Sequence, residues 1–212
     1  MEIVHFDIKD FPTMEKRFRT NFINSLTGFK SANLVGTIAA NGKTNLAIFS
    51  SAVHIGADPA LIGLIFRPTS VARHTYENIK TIGYYSINHV HESFFKQAHQ
   101  TGARYDRQIS EFDAIQLTPE FSEALPAPYV KESKIKLGVK YEEEYLIKLN
   151  NTILLIGSII ETFLPRECLM PDGFVDLEKA GTVTVSGLDC YHTTQRLARL
   201  SYPKPDLPLS EI

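Results

Sequence analysis

The sequence predicts a mainly β protein, a β-barrel with short helices at its periphery. Runs rich in β-branched and apolar residues dominate the chain. They do not alternate regularly with helical patterns, which disfavours a doubly wound parallel sheet. A length of 212 residues suits one domain. We therefore expect a single domain over residues 1–212, with an extended, proline-rich C-terminal tail from about residue 202.

The clearest single element is a hairpin. Two β-rich runs within residues 33–51 flank Asn41-Gly42, a dipeptide that strongly favours a hairpin turn. Periodicity and turn residues delimit the other predicted elements: strands over residues 60–66, 84–90, 134–149 and 152–164, and short helices over 71–80, 91–100 and 189–200. Thr69 or Ser70 is the expected N-cap of the first helix, and residues 102–129 are expected to be irregular.

Composition and the absence of known motifs exclude several classes of function. A net charge of −2 gives no basic field for nucleic acid. No apolar run is long enough to span a membrane, and the N-terminus lacks a hydrophobic signal core. Two cysteines in a chain of this size indicate reduced thiols, and so a cytoplasmic protein. Neither a Rossmann fingerprint nor a P-loop is present. His89 and His91 lack a third ligand at a recognisable spacing, so we expect no metal site.

Several short pieces occur in an order typical of one family. They are Leu34-Val35-Gly36-Thr37, Asn41-Gly42, Asn45-Leu46-Ala47, Phe49-Ser50, Asp58-Pro59, residues 61–66, Ser70, Arg73-His74-Thr75, Asn78-Ile79 and Ser86-Ile87-Asn88. In these pieces the first half of the chain resembles the flavin reductase-like family, whose fold is the FMN-binding split β-barrel of Greek-key type. Residues 186–192 and 196–200 look like one branch of it. The family commonly has proline at the position of Ile48 and Lys-Asp-Thr at that of Arg73-His74-Thr75.

The resemblance implies a homodimer with FMN at or near the subunit interface. It also implies, for many members, reduction of flavin by NADH or NADPH. A flavin ring needs close backbone donors in an apolar slot, and its phosphate needs cations and N–H groups. The expected ring contacts are Asn45, Ala47, Phe49, Ser50, Ser51 and Ala52. The expected phosphate contacts are Arg67, Ser70, Arg73, His74 and Thr75.

The site of the hydride donor has a weaker sequence pattern. His192, with Tyr191 and Tyr202, is the candidate for its rim, because a histidine that titrates near neutrality can contact a phosphate or a ring. Three functions stay open on this sequence. The first is an NAD(P)H-dependent flavin reductase, acting alone or feeding reduced flavin to a monooxygenase. The others are a flavin carrier or redox sensor without turnover, and an oxidase resembling the pyridoxamine phosphate enzymes on the same barrel.

Overall fold

The computed structural model describes residues 1–212 and confirms a mainly β fold with few, short helices. The strands are β1 (Lys30–Ser31), β2 (Asn33–Ile38), β3 (Thr44–Phe49), β4 (Ala52–Ala57), β5 (Ala60–Phe66), β6 (Tyr84–His89), β7 (Pro119–Glu120), β8 (Tyr129–Val130), β9 (Lys136–Ile147), β10 (Thr152–Phe163), β11 (Thr184–Ser186) and β12 (Cys190–His192). The helices are α1 (Lys16–Ser25), α2 (His74–Ile82), α3 (Phe95–Gln100) and α4 (Glu111–Ile115). Short 3-10 turns cover Phe11–Thr13 and Arg166–Cys168.

One antiparallel sheet of seven strands, in the order β3-β2-β6-β9-β10-β5-β4, forms the body of the protein. Its two edge strands, β3 and β4, are consecutive in the chain and are joined only by Ser50 and Ser51. Laid flat, seven strands separate their edges by about 29 Å, whereas this link reaches about 11 Å. The sheet must therefore curl until its edges approach. Because β3 and β4 do not pair, the curled sheet stays open there, as in a split barrel.

Alternation along the strands fills the inside of this curled sheet with apolar side chains. Val35 of β2 lies opposite Ile87 of β6, and Leu155 of β10 lies opposite Leu64 of β5. The inner cluster consists of Val35, Leu64, Phe66, Ile79, Tyr85, Ile87, Val139, Ile153 and Leu155. Burying one such side chain contributes about 1.5–3 kcal/mol, so this cluster holds the curvature that brings the two edges together.

A second apolar cluster covers the outer face of β2 and β3. Leu34 and Leu46 point outward there and pack with Phe94 and Ala98 near α3 and with Phe112 of α4. Each of these five side chains is almost fully buried. This packing brings the loop between α3 and α4 beside the exposed edge of β3, although the two segments are far apart in sequence.

The structure confirms the predicted hairpin and shifts the start of the following helix. Gly42 occupies the turn between β2 and β3 with φ of +83°. Helix α2 begins at His74, with Arg73 at its N-cap, and ends at Gly83, whose φ is +80°. The prediction that Thr69 or Ser70 caps this helix is therefore wrong, because Ser70 lies in the loop that precedes Arg73.

The predicted helix over residues 189–200 is also wrong. Residues Cys190–His192 form β12, which pairs with β11 across a turn at Gly187 (φ +61°). Together with β1 they form a three-stranded sheet. The rest of the chain, from 193 to the end, has no helix and is held by ion pairs such as Arg196 with Asp176 at 2.6 Å. None of the helices combines the length and apolar character needed to cross a bilayer.

Helices α1 and α4, strand β4 and the short strands β1, β7, β8 and β11 were not predicted from the sequence. Helix α1 packs Phe18 and Phe22 against each other, and Phe6 meets Phe22 edge to face. Strand β4 follows directly after the predicted hairpin, and α4 lies inside the segment expected to be irregular.

Candidate functional site

A cavity of about 960 Å³ opens where the edges of the curled sheet approach. Its walls come from β3, the Ser50-Ser51 link, the loop between β5 and α2, and the loop between α3 and α4. Nine of the predicted ligand contacts line it: Asn45, Ala47, Phe49, Ser50, Ser51, Arg67, Arg73, His74 and Thr75. The fold thus brings residues 45–51 and residues 67–75, which lie some twenty positions apart in the sequence, to the same cavity.

The strand side of the cavity presents backbone donors. Strand β3 pairs only with β2, and the N–H of Leu46 points away from that partner, because it donates to Oε2 of Glu111 at 2.9 Å. Alternate residues of an antiparallel strand point the same way, so the N–H of Ile48 also faces outward. The N–H groups of Ser50 and Ser51 donate no hydrogen bond within the chain. These groups are available to acceptors on a ligand.

A buried polar network fixes the start of α2 against the sheet. The Asn45 amide donates to Thr75 Oγ1 at 3.0 Å and to Thr37 Oγ1 at 3.1 Å, and the Asn78 amide donates to the same Thr37 oxygen at 3.1 Å. Both amide hydrogens of Asn45 are thereby used. Asn45 therefore positions Thr75, whose hydroxyl accepts from it and keeps its own proton free to donate.

Three arginines converge at one end of the cavity. Arg67 ends β5, Arg73 caps α2, and Arg104 lies in the loop between α3 and α4. None of them forms an ion pair with a carboxylate. Burial, followed by the positive charges of Arg67 and Arg104, lowers the pKa of Arg73. Three cations that repel one another without an acidic partner form a site for an anion.

Arg73 has its two terminal nitrogens free. Its Nε donates to the carbonyl oxygen of Pro68 at 3.3 Å, and its backbone N–H donates to Oε1 of Glu77 at 3.1 Å. Neither terminal nitrogen donates within the chain. The N–H groups of His74 and Thr75, in the first turn of α2, also lack partners in the chain. A guanidinium beside free N–H groups at a helix N-terminus is suited to bind a phosphate.

Tyr191 and His99 also line the cavity. The Tyr191 hydroxyl lies 3.0 Å from Nδ1 of His99. Burial, with a smaller effect of Asp189, raises the pKa of Tyr191 to about 12, so this phenol stays protonated at neutral pH.

Four predicted site residues, Ala52, Ser70, His192 and the exposed Tyr202, lie outside the lining of this cavity. Ala52, at the start of β4, packs against the inner apolar cluster. Ser70 lies in the loop before α2. His192 places its Nε2 2.9 Å from Ser186 Oγ and its ring edge-on to Phe29, with centroids 4.9 Å apart. Tyr191, the residue before His192 and also predicted for the rim, lines the cavity.

Sequence reasoning missed two charged residues of the lining, Arg104 and Glu111. Both lie in the stretch that was expected to be irregular. One pattern could have identified Glu111: Ser110 precedes two acidic residues at the start of a short apolar run, which is typical of a helix N-terminus. Nothing local identifies Arg104, because the packing of α4 on β3 brings it to the site.

Comparison with known proteins agrees with this geometry. A family model described as "Flavin reductase like domain" matches residues 29–172. A provisionally assigned flavin reductase with a split barrel domain from Shewanella frigidimarina NCIMB 400 is 50% identical, with a TM-score of 0.91 over 94% of this chain and 100% of that one.

More distant structures share the fold. Component B of nitrilotriacetate monooxygenase from Bacillus cereus is 19% identical, with a TM-score of 0.78 over 92% of this chain and 98% of that one. Flavoredoxin of Desulfovibrio vulgaris (Miyazaki F) is 22% identical, with a TM-score of 0.70 over 84% and 92%. The family model spans well over half of the sequence, and the split-barrel geometry agrees with it: the chain belongs to the flavin reductase-like family.

Proposed function

We propose that this protein binds FMN in the cavity and reduces it with NADH or NADPH. The observation that carries the proposal is the group of three arginines without acidic partners at one end of a cavity of about 960 Å³. An FMN molecule has one anionic end, its phosphate, and the cavity has one cationic end. Pockets of roughly 300–1,000 Å³ accommodate ligands of this size.

The residues present fit FMN at both ends. At the phosphate, Arg67, Arg73 and Arg104 supply charge, and the start of α2 supplies free N–H groups. At the ring, the unpaired N–H groups of Ser50 and Ser51 meet the need for donors along a polar edge. Without a ligand, these N–H groups have only water as a partner.

Hydride transfer from nicotinamide to flavin requires little acid–base chemistry from the protein. Bound FMN supplies a ring that accepts a hydride from the nicotinamide, and the protein binds, orients and shields the two molecules. The chain needs one open wall for the donor. Tyr191 and His99 line the cavity within hydrogen-bond distance of each other, and we assign the rim of the donor site to them. His192 does not line the cavity within one chain, and it remains a candidate for contacting the nicotinamide in the dimer.

We further propose a homodimer of single-domain subunits. Val53 and Ile55 of the edge strand β4 and Ile65 of β5 are each about two-fifths exposed, and Leu197 and Tyr202 of the tail are exposed almost completely. Solution monomers rarely leave so much apolar surface uncovered, and a two-fold interface would cover it.

Reduced flavin released from this protein could pass to a monooxygenase. Cys168 and Cys190 are both unpaired, which supports a cytoplasmic location.

The test is spectroscopic. Purified protein is expected to be yellow, or to become so with added FMN, and to release FMN on denaturation. Anaerobic addition of NADH or NADPH is expected to bleach the long-wavelength flavin band. Flavin that binds but stays oxidised with both nicotinamides would indicate a carrier or sensor. Substrate loss with oxygen uptake and no need for nicotinamide would indicate an oxidase, and colourless protein that binds no FMN would refute the proposal.

A further inference from the structure

One carboxyl group faces the cavity from the side of the strand. Glu111 is the first residue of α4, and only 6% of its surface is exposed to solvent. Its Oε2 accepts the N–H of Leu46 at 2.9 Å, which ties α4 to the edge strand β3. The preceding residue makes a second tie, because Ser110 Oγ lies 2.7 Å from Thr44 Oγ1. These contacts fix where the Glu111 carboxyl lies.

The second oxygen of this carboxyl is free. Oε1 of Glu111 makes no hydrogen bond to another residue, and the side chain lines the cavity. Glu111 also forms no ion pair, although three arginines line the same cavity. When a buried carboxyl group has neither an ion-pair partner nor a full set of hydrogen bonds, burial favours its protonated form.

We propose that Glu111 takes up a proton from solvent when a negative charge is added to the cavity. Oε1 accepts this proton, while Oε2 keeps its hydrogen bond to the Leu46 N–H and so holds Leu46 in place. The inference rests on the proposed function, which supplies that charge. A hydride carries one proton and two electrons, so its transfer adds one negative charge to the cavity. Protonation of Glu111 Oε1 removes one negative charge, and the cavity returns to its earlier net charge.

The electrostatic surroundings support this role. Burial raises the pKa of Glu111, while the N–H of Leu46, its own N–H and His74 act in the opposite direction, and the net shift is upward. Added negative charge nearby raises the pKa further. Arg67, Arg73 and Arg104 stay charged at all accessible pH values. The other ionisable side chains that line the cavity are those of His74, His99, Tyr105 and Tyr191, and Glu77 is engaged by Arg107 and by the Arg73 N–H.

The variant Glu111→Gln separates the proton from the positioning. Glutamine has the same shape, and its amide oxygen still accepts the Leu46 N–H, but it cannot titrate. Glu111→Ala removes both properties. Asp113→Asn is the matched control, since Asp113 is an exposed carboxyl on the same helix. His74→Asn tests the histidine whose charge acts on Glu111.

The measurement is the midpoint potential of protein-bound FMN as a function of pH, by anaerobic titration with mediator dyes. In wild type we expect a steeper pH dependence than in Glu111→Gln. The difference approaches about 30 mV per pH unit for one extra proton in a two-electron couple, which is a tenfold change in the equilibrium constant. Asp113→Asn and His74→Asn should keep the wild-type slope, and FMN affinity in Glu111→Gln should change less than about threefold.

Equal slopes in wild type and Glu111→Gln, with FMN bound and reducible in both, would overturn this inference and leave the proposed function standing. Loss of the extra slope in His74→Asn but not in Glu111→Gln would assign the proton to His74 and also overturn it. A protein that binds no FMN would refute the proposed function and this inference together.

Discussion

Replacing Arg73 tests the anion site most directly. The change Arg73→Ala removes a guanidinium whose two terminal nitrogens have no partner in the chain. A charge-assisted hydrogen bond contributes about 1.5–3 kcal/mol. Arg67 and Arg104, whose charges act on Arg73, remain and would still neutralise a bound phosphate, so we expect the loss of about one such bond. At about 1.4 kcal/mol per tenfold, FMN binding should weaken roughly tenfold to a hundredfold.

The assay is a titration of flavin-free protein with FMN and, in parallel, with riboflavin, followed by flavin fluorescence. Riboflavin lacks the phosphate, so its affinity should hardly change in Arg73→Ala. Arg73→Lys keeps the charge but loses the planar fork, and should fall between wild type and Arg73→Ala. Arg17→Ala, an exposed arginine on α1, is the matched control and should bind FMN as wild type does.

If Arg73→Ala weakened FMN binding by disturbing the fold, the two flavins would be affected equally. The backbone N–H of Arg73 keeps its bond to Glu77 in Arg73→Ala, and only the contact of Nε with Pro68 is lost. The melting temperature should therefore change little. Equal losses of affinity for FMN and riboflavin would show that Arg73 acts through the fold, and the assignment of the phosphate to this site would be refuted.

Three other predictions follow from the same structure. Sedimentation should give the mass of two chains at micromolar concentration; a mass of one chain would contradict the proposed homodimer. In anaerobic reduction, Tyr191→Phe should raise the nicotinamide KM more than His192→Ala, since only Tyr191 lines the cavity, and the reverse order would return His192 to the donor's rim. Leu155→Ala should lower the free energy of unfolding by about 2–5 kcal/mol, because Leu155 is fully buried in the inner cluster; denaturant titration showing less than about 1 kcal/mol would argue against this packing.

The parts of the fold that local patterns encode were predictable. The turn at Asn41-Gly42, the apolar strand β5 and the long hairpin of β9 and β10 follow from turn residues and from periodicity, which act within a few residues. The order of strands in the sheet was not predictable in this way. Pairings such as β2 with β6 and β6 with β9 join residues about fifty positions apart, and the sequence carries no local mark of them.

The predicted helix at residues 189–200 shows how tertiary contacts override a local pattern. Leu197 and Leu200 have helical spacing, but Leu197 is 99% exposed, so the segment has no apolar face to bury. Strand β11 offers Tyr191 an antiparallel partner instead, opposite Val185. Helices gain most of their stability in proteins from packing, and here packing favours the strand.

The candidate site was predictable to the extent that its residues are contiguous. Residues 45–51 and 67–75 each form one local unit, a strand with its link and a helix start with its loop, and both units line the cavity. Arg104 and Glu111 come from a third segment. They reach the site because Phe112 of α4 packs on Leu46 in the outer cluster, a contact that depends on the complete fold.

The split in the barrel and the candidate site have one physical cause. The two-residue link between β3 and β4 forces the edges of the sheet together and leaves Ser50 and Ser51 with N–H groups that no other part of the chain satisfies. Backbone donors away from water are costly when unpaired, so the protein must keep them wet or supply an acceptor. A cavity that opens at this point and is also lined by Arg67, Arg73 and Arg104 allows a ligand with hydrogen-bond acceptors along one edge and an anionic tail to replace that water. The same curvature that closes the apolar core therefore creates the donors that a flavin would use.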